Sequence, residues 1–500
     1  MMDIFANLGM GFAVAMTGPN LFYCFLGALF GTLIGVLPGI GPLATIAMLL
    51  PITFKLEPTG ALIMLAGIFY GAQYGGSTTA ILVNLPGEAS SVVTAIDGYK
   101  MARQGRAGAA LAVAALASFF AGCVSTLVIA VAAPALSKMA LLFGPAEFTA
   151  LMVLGLVAAV VLASGSIIAS LGMVMVGMLL GLVGTDITTG EQRFTFGIRQ
   201  IYDGIDFVVV AMGLFGIAEI IANLADRGQR ELPSGKIDRL WPTKDDFRRS
   251  WPAATRGTIL GTLLGVLPGG GALVASFASY SLEKRIAKDP SRFGNGAVEG
   301  VAGPEAANNA GAQASFIPML ALGIPPNAVM ALMIAAMTIH GITPGPKFLT
   351  DKPVLFWAMV ASMWIGNLML VILNLPLVGI WVRLLKIPYA YLFPAILIFC
   401  SVGVYTVNYR AFDIAVMAGF GIFGYLLRRF GCEPAPMVLG FLLGPMLEEQ
   451  FRRTMLLADG NPVVFLQRPL AAALLGVTAF LLLMMALPNL RKRRMKVFQE

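Results

Sequence analysis

The sequence predicts an all-α polytopic membrane protein with about 10 to 14 transmembrane segments, in two pseudo-symmetric repeats with broken or re-entrant helices. Two observations predict this class. Hydrophobic residues make up 58% of the 500-residue chain and charged residues only 12%, whereas soluble domains carry about 25% charge. The phrase "GTLIGVLPGIGP" at 31–42 also returns as "GTLLGVLPGGGA" at 261–272, half a chain later.

Long windows without Asp, Glu, Lys or Arg predict the membrane segments. One helical crossing needs about 20 apolar residues, so the longest windows hold two crossings. The first-half spans are expected at 21–54 (broken), 60–86, 108–133, 140–162, 166–184 and 206–224. The second-half spans are expected at 254–282 (broken), 306–340 (two short segments), 353–380, 387–407, 411–427 and 468–489. The piece 434–447 is too short to cross, so a re-entrant segment is expected there.

Polar stretches between these windows divide the chain. The predicted parts are a first transmembrane repeat half (1–224), a basic cytoplasmic linker (225–252), a second repeat half (253–430) and a C-terminal membrane segment with a basic cytoplasmic tail (431–500). Basic residues in the linker and in "RKRRMK" after Leu490 place both on the cytoplasmic side by the positive-inside rule. The stretch 185–206 is expected at the membrane surface, and 283–305 is expected to be a charged connector. An inverted relation of the two halves is also expected, although the spans do not fix the parity that it requires.

Several functional classes are excluded or disfavoured by the residues. The net charge of +8 is spread between spans and forms no continuous basic face, so no nucleic acid partner is expected. The N-terminus lacks a basic region, which disfavours a cleaved signal peptide. The four cysteines lie singly, without a metal or disulfide pattern. His340, the one histidine, is more typical of a satisfied interfacial side chain than of a proton relay.

Enzyme motifs are also missing from the chain. There is no GxxxxGK[ST], HExxH or GxSxG, and no paired-carboxylate constellation was recognised, so no catalytic residue and no cofactor are expected. The phrase "GFGIFG" (419–424) matches GxGxxG but lies in an apolar span with no preceding strand. Replacing Gly419 or Gly421 by Ala is therefore expected to cost little beyond packing.

The repeated phrase has a physical explanation. Broken backbone survives at membrane depth only where protein buries it or where it lines a polar cavity. Pro38 and Pro268 break the helix, and the glycines that follow permit conformations forbidden to other residues. The half-helix N-termini would suit an anionic group, and the unwound carbonyls a cation. Close helix packing through small residues is the alternative explanation.

The second repeated feature is a small-residue segment that ends at a proline tip. "YGGSTTAILVNLPGE" (74–88) follows the first phrase, and "GAQASFIPMLALGIPPN" (311–327) follows the second. The apolar windows lack basic side chains, so hydroxyl, amide and backbone groups are the expected donors. The side chains concerned are Ser77, Thr78, Thr79, Asn84, Asn308 and Asn309, each of which could instead join two helices.

These motifs together resemble the large permease (TctA-like) subunit of tripartite tricarboxylate transporters. The resemblance covers nearly the whole chain and is carried also by "DGYKMARQGRAGAAL" (97–111), "RFTFG" (193–197), "GLFGIAEI" (213–220) and "GPEAANNAGAQASFIPMLALGIP" (303–325). The family usually follows "LGIP" with Gly-Ser, whereas Pro326 and Asn327 follow here. If that tip touches substrate, specificity or ion use would differ.

The resemblance implies a multi-pass carrier in a bacterial inner membrane. It would work with a small membrane subunit (TctB-like) and a periplasmic solute-binding protein (TctC-like), and would import di- or tricarboxylates by symport with sodium or protons. A stand-alone secondary carrier or channel for small organic anions, which needs no binding protein, is the alternative.

The expected substrate and ion contacts lie at the broken helix tips, where a sodium ion would also bind. The candidate residues are Pro38, Gly39, Gly41, Gly75, Gly76, Ser77, Asn84, Pro86, Gly87, Pro268, Gly269, Gly270, Asn308, Asn309, Pro325 and Asn327.

Overall fold

The structure is a computed structural model that describes residues 2–37, 41–53, 55–84, 87–162, 166–186, 188–225, 240–267, 271–384 and 389–486. The described part is almost entirely helical, which confirms the all-α class. The centres of the two repeated phrases (38–40 and 268–270), most of the basic linker and the basic tail lie outside it. Candidate residues Pro38, Gly39, Pro86, Pro268, Gly269 and Gly270 are among those not described.

Among the described residues, ten helices precede the linker. They are α1 (Met2–Ala15), α2 (Gly18–Val36), α3 (Gly41–Thr53), α4 (Pro58–Val83), α5 (Val92–Met101), α6 (Ala107–Ala140), α7 (Pro145–Leu162), α8 (Ile167–Gly181), α9 (Phe207–Ala211) and α10 (Ala218–Ala225). A π-helical turn joins α5 to α6, and another joins α9 to α10. Between α8 and α9, Gly184–Thr185 (β1) and Gln192–Arg193 (β2) form an antiparallel hairpin.

In the part of the chain described after the linker there are thirteen more. They are α11 (Lys244–Gly265), α12 (Gly271–Ile286), α13 (Glu299–Ala314), α14 (Phe316–Leu322), α15 (Ala328–Ile339), α16 (Phe348–Asp351), α17 (Pro353–Asn374), α18 (Val378–Leu384), α19 (Tyr389–Asn408), α20 (Ala411–Arg429), α21 (Pro434–Leu457), α22 (Val464–Gln467) and α23 (Pro469–Ala486). Pro318 lacks the N–H that would bond back to Ala314, which explains why α14 is separate from α13.

Four helical stretches of the described chain are long and apolar enough to cross a membrane: Gly18–Val36, Ala89–Ala140, Pro353–Asn374 and Ala411–Arg429. Shorter apolar helices accompany them. One face of α8 exposes Ile168, Leu171, Met175 and Leu179, and this helical spacing makes an apolar stripe suited to lipid. The chain is therefore a multi-pass membrane protein, while the predicted number of crossings and the inverted relation of the halves stay predictions.

Helices α2 and α4 run parallel along a surface that we call the first seam, where three glycines of α2 meet the backbone of α4. Measured from the Cβ atom that each glycine lacks, the contacts are Gly27 with Met64 O at 2.3 Å, Gly31 with Ile68 O at 2.5 Å and Gly35 with Ala72 O at 2.4 Å. Because no Cβ fits, only glycine allows this approach. Small residues at the contact are the usual basis of close helix packing in membranes.

Helices α11 and α13 pack in the same way along the second seam. Its glycines lie 230 positions after those of the first seam, and the contacts are Gly257 with Gly303 O at 2.2 Å, Gly261 with Ala307 O at 2.3 Å and Gly265 with Gly311 O at 2.5 Å. Another helix, α3 or α12, lies between the paired helices in the chain, and we call residues 18–88 the first seam unit and residues 244–314 the second. Close helix packing therefore explains the glycines in the first part of each repeated phrase, Gly31 and Gly35 in one and Gly261 and Gly265 in the other.

Three element boundaries differ from those expected. Helix α11 begins at Lys244, inside the predicted linker, because Thr243 and Asp246 form a capping box. Helix α13 begins at Glu299, inside the predicted charged connector. The predicted re-entrant piece 434–447 is the first part of α21, a continuous helix of 24 residues.

Candidate functional site

The main candidate site is a cavity of about 720 Å³, which we call the central cavity, between the two seam units, α15 and the α20–α21 corner. This volume lies in the range of about 300–1,000 Å³ typical of small-molecule sites. The lining residues are Gly41, Pro42, Leu43, Phe69, Gln73, Gly87, Glu88, Ala89, Ser90, Phe215, Glu219, Gly271, Ala272, Leu273, Asn327, Ala328, Val329, Arg428, Gly431, Cys432, Glu433, Pro434 and Ala435.

Four helices begin at this cavity. The first residues of α3, α12, α15 and α21 all belong to its wall. Gly41 opens α3 with a positive φ of 62°, a conformation that glycine adopts without steric cost. Asn327 is the N-cap of α15, and its Oδ1 accepts a hydrogen bond from Met330 N at 2.9 Å. The cavity is thus surrounded by helix N-termini, which carry N–H groups without intrahelical partners.

The departure at Pro326 and Asn327 keeps this local structure. Asn and Ser are about equally good N-caps, so Asn327 retains the capping role that Ser would have at this tip. A changed side chain nevertheless faces the cavity.

Arg428 is the one guanidinium in the described wall of the cavity. It lies at the end of α20 and pairs with Glu219 of α10. About a third of its side chain is exposed, so the pair is reachable from the cavity.

Glu88 is a wall residue that sequence reasoning missed. It follows Gly87, where the chain turns back along α4, and Gly87 packs against Gly35 O and Gly76. The Glu88 Oε1 atom accepts hydrogen bonds from Ser90 Oγ at 2.5 Å and from Asn308 Nδ2 at 2.9 Å. A carboxylate of the first seam unit is therefore joined, at the cavity, to α13 of the second unit.

Glu305 is a second missed carboxylate, fully buried in α13. Its Oε1 accepts from Ser77 Oγ at 2.6 Å and from Thr94 Oγ1 at 2.5 Å, and its Oε2 accepts from Ser118 Oγ at 3.2 Å. Asn309 Nδ2 donates to Ser118 Oγ at 2.7 Å. Ser77 and Asn309 thus surround a carboxylate instead of facing the central cavity.

Asp97 is another buried acidic residue, and it links α5 to the second half. Its Oδ1 accepts from the backbone N–H groups of Gly294, Gly296 and Ala297 at 2.7–2.9 Å, and its Oδ2 accepts from Tyr280 OH at 3.0 Å. This complete set of donors makes Asp97 a structural clip.

The structure separates the described candidates into three groups. Gly41, Gly87 and Asn327 line the central cavity. Ser77 bonds to the buried Glu305, Asn309 bonds to its partner Ser118, and Asn308 bonds to Glu88 in the cavity wall. Gly75 packs against Thr32 O, Gly76 lies against the Glu88 side chain, Asn84 ends α4 in a left-handed conformation and Pro325 is buried.

A signal for the missed carboxylates exists in the sequence. Glu305 stands in "GPEAANNAGAQA", with amides three, four and eight residues later, at Asn308, Asn309 and Gln313. These spacings put a carboxylate and three amides on one side of a helix. Glu88 and Glu305 were overlooked because each borders a charge-free window.

Comparison with known proteins agrees with this membrane architecture. The model of the tripartite tricarboxylate transporter TctA family matches residues 21–439. The chain belongs to this family. The TctA family is a family of transporter components, so this chain is a membrane component of a tricarboxylate transporter, and family membership points away from an enzyme.

Two relatives of this TctA-family chain come from Agrobacterium vitis. The uncharacterized 52.8 kDa protein in the TAR-I ttuC' 3' region is 59% identical over 500 residues, which is 100% of both chains. The uncharacterized protein in the TAR-II ttuC' 3' region is 58% identical over 240 residues, covering 48% of this chain and 99% of the relative. No solved structure matches the chain.

Proposed function

We propose that this TctA-family chain is the large membrane subunit of a binding-protein-dependent secondary transporter that imports di- or tricarboxylates with a sodium or proton gradient. The observation that carries the proposal is the central cavity, where four helices begin around a single described guanidinium. Its volume is suited to a small organic acid.

Helix N-termini supply the attraction for an anion. Each carries roughly half a positive charge together with free N–H donors. The N-terminal residues at the wall belong to α3 and α12 of the two seam units and to α15 and α21. A carboxylate held by these groups needs no fully buried cation as its partner, and such a cation would be costly in a membrane protein.

Arg428 would bind a second carboxylate of the substrate. Its guanidinium already pairs with a carboxylate, that of Glu219, so a substrate carboxylate would use the same planar donor geometry.

Glu88 supports coupled transport. An ionised Glu88 in the wall of the cavity would repel an anionic substrate. Substrate entry is therefore favoured when a cation or a proton neutralises this region. We propose that sodium or a proton enters with the carboxylate for this reason.

The partners follow from membership of the family. A TctC-like periplasmic binding protein would deliver the carboxylate, and a TctB-like small membrane subunit would complete the complex in the bacterial inner membrane, with the basic linker and tail on the cytoplasmic side. A stand-alone carrier or channel would have the same cavity but would not need these partners.

Uptake into proteoliposomes tests this function. The chain is reconstituted alone, with the small subunit, and with both partners, and uptake of labelled di- and tricarboxylates is measured under sodium and proton gradients. We expect high-affinity uptake only with all three components and a gradient. Full uptake by the chain alone would establish the stand-alone alternative instead.

A matched pair of arginine variants tests the cavity. Arg428→Gln should weaken carboxylate affinity by roughly 10- to 100-fold, because a hydrogen bond to a charged group contributes about 1.5–3 kcal/mol. Arg453→Gln is the control, since Arg453 is largely exposed and pairs with Glu449 one turn away. Equal affinities in the two variants would place the substrate elsewhere.

A further inference from the structure

A second, much smaller cavity lies beside Glu305, which we call the Glu305 pocket. Its volume is about 10 Å³, close to the lower limit for one water molecule. The polar residues of its wall are Tyr74, Ser77, Thr78, Ser118, Glu305 and Asn374. The polar side-chain atoms of five of them are oxygens, and Asn374 adds a carbonyl oxygen, so the pocket offers the donor set that hard cations prefer.

The charge of this pocket is unbalanced among the described residues. Glu305 is 0% exposed, and its described partners are the hydroxyls of Ser77, Thr94 and Ser118. No described Lys or Arg forms an ion pair with it. A buried charge normally has a counter-charge or a metal ion, because removal from water is costly.

The hydrogen-bond directions at Ser118 make Glu305 Oε2 an acceptor. Asn309 Nδ2 donates to Ser118 Oγ at 2.7 Å, so the hydroxyl proton of Ser118 remains to donate to Glu305 Oε2. Thr94 Oγ1 has Glu305 Oε1 as its partner. The carboxylate is therefore surrounded by donors, although none of these donors carries a positive charge.

Asn374 provides an independent indication of a ligand. The residue is 3% exposed, and its Oδ1 atom has no hydrogen-bond partner. Its Nδ2 donates to Leu370 O at 3.0 Å and to Thr32 Oγ1 at 3.3 Å. The contact with a carbonyl oxygen fixes the amide orientation, because a flipped amide would place Oδ1 against Leu370 O. An unpaired carbonyl oxygen and an unneutralised carboxylate thus belong to the same pocket.

We propose that the Glu305 pocket binds one dehydrated Na⁺ ion, held by the Glu305 carboxylate, the Asn374 carbonyl oxygen and neighbouring hydroxyls. One carboxylate balances one monovalent charge, whereas a divalent ion would leave an excess positive charge. In keeping with this, the described residues contain no group of three His, Cys, Asp or Glu side chains that could hold a metal. The small volume favours Na⁺ over the larger K⁺.

The pocket is connected to the central cavity by hydrogen bonds. Ser77 Oγ lies within hydrogen-bonding distance of both Glu305 Oε1 and Gln73 O, and the single hydroxyl of Ser90 lies within hydrogen-bonding distance of both Gln73 Oε1 and Glu88 Oε1. An ion at Glu305 would therefore influence the cavity wall. That this Na⁺ is the coupling ion rests on the proposed transport function, whereas its binding does not.

Na⁺-dependent stability of the purified full chain tests the site. Thermal unfolding in detergent is measured at constant ionic strength and chloride, with Na⁺ replaced by K⁺ or N-methyl-D-glucamine, and ²²Na⁺ binding is measured in parallel. We expect saturable stabilisation by Na⁺ only, because a ligand that binds the native state stabilises it. A trapped water molecule would give no such dependence, and an absent Na⁺ effect overturns the proposal.

Variants assign the effect to the pocket. Glu305→Gln should abolish Na⁺ binding, and Asn374→Ala should raise the half-saturating Na⁺ concentration by at least about 10-fold, the lower range for losing an outer-shell partner. Glu147→Gln is the control. Glu147 is also buried, but it accepts a hydrogen bond from Gly144 N and forms an ion pair with Arg468. If Glu305→Gln does not fold, Asn374→Ala and Ser118→Ala decide. Unchanged Na⁺ affinity in these variants refutes the site.

Failure of the site and failure of the transport function give different results. If Na⁺ stabilises the chain but no carboxylate is taken up, even with both partners, the Na⁺ site is supported and the transport function is refuted. If carboxylate uptake depends on a proton gradient and Na⁺ does not stabilise the chain, the transport function is supported and the Na⁺ site is refuted.

Discussion

Gly87→Ala is the most informative single change in the first seam unit. The added Cβ would lie 2.0 Å from Gly35 O and 2.6 Å from the Cα of Gly76. Such contacts are not observed below 3.0 Å, so the segment that turns back along α4 must move away from α2 by at least about 1 Å. Glu88 is the next residue and would move with it.

Two costs follow from this displacement. Overpacking of a close backbone contact costs about 1–3 kcal/mol. A shift of this size also breaks the 2.9 Å hydrogen bond between Asn308 and Glu88, which is worth about 1.5–3 kcal/mol when one partner is charged. We therefore expect a destabilisation of about 2.5–6 kcal/mol together with loss of carboxylate uptake.

Gly419→Ala is the matched control, measured by thermal unfolding in detergent and by uptake into vesicles. Nothing lies within 4 Å of the added Cβ in α20, and Ala favours a helix over Gly by about 1 kcal/mol. Gly421 is unsuitable as this control, because its added Cβ would lie 2.3 Å from Ile217 Cγ2 and would carry a packing cost of its own. If Gly87→Ala unfolds and transports like Gly419→Ala, the steric reasoning is refuted.

Three further predictions concern other contacts. Asn308→Ala should weaken carboxylate binding by about 1–3 kcal/mol in titration calorimetry, because Glu88 loses a buried donor; unchanged affinity would contradict this. Asp97→Ala should lower the unfolding temperature and accelerate amide exchange at 294–297, since three N–H groups lose their acceptor. At the surface hairpin, hydrogen bonding by Thr188 N–H and the charge of Arg193 lower the pKa of Asp186 from 3.8 to about 2. This stabilising contact is present above pH 4 and is lost as the pH falls through 2, and amide exchange of β1–β2 should follow that course.

The apolar windows predicted most of the helices because membrane helices need long uncharged stretches. Charge-free windows did not predict the full length of helices that continue into charged sequence. Helix α21 runs to Leu457 because Glu448 and Glu449 pair with Arg452 and Arg453 one turn later, which stabilises a helix in polar surroundings. Its length could not be deduced from apolarity alone.

The candidate site was predicted in part. Helix N-termini at Gly41 and Asn327 follow from the glycine and asparagine at the tips, since local backbone chemistry determines them. Glu88 and Glu305 were missed because a single carboxylate at a window edge looks like a boundary. The surroundings of Glu305 depend on hydroxyls from α4, α5 and α6, and those of Glu88 on Asn308 of α13, which only the tertiary structure brings together.

The two glycine seams have a consequence for how the protein responds to cold. The hydrophobic effect weakens on cooling, and the stability of soluble domains falls with it. Helices that separate within lipid expose little surface to water, and their contact rests on dispersion between closely approaching backbones. Glycines also give up no side-chain freedom when they pack. The two helix pairs should therefore keep nearly constant stability across ordinary growth temperatures, with no cold denaturation of the seams.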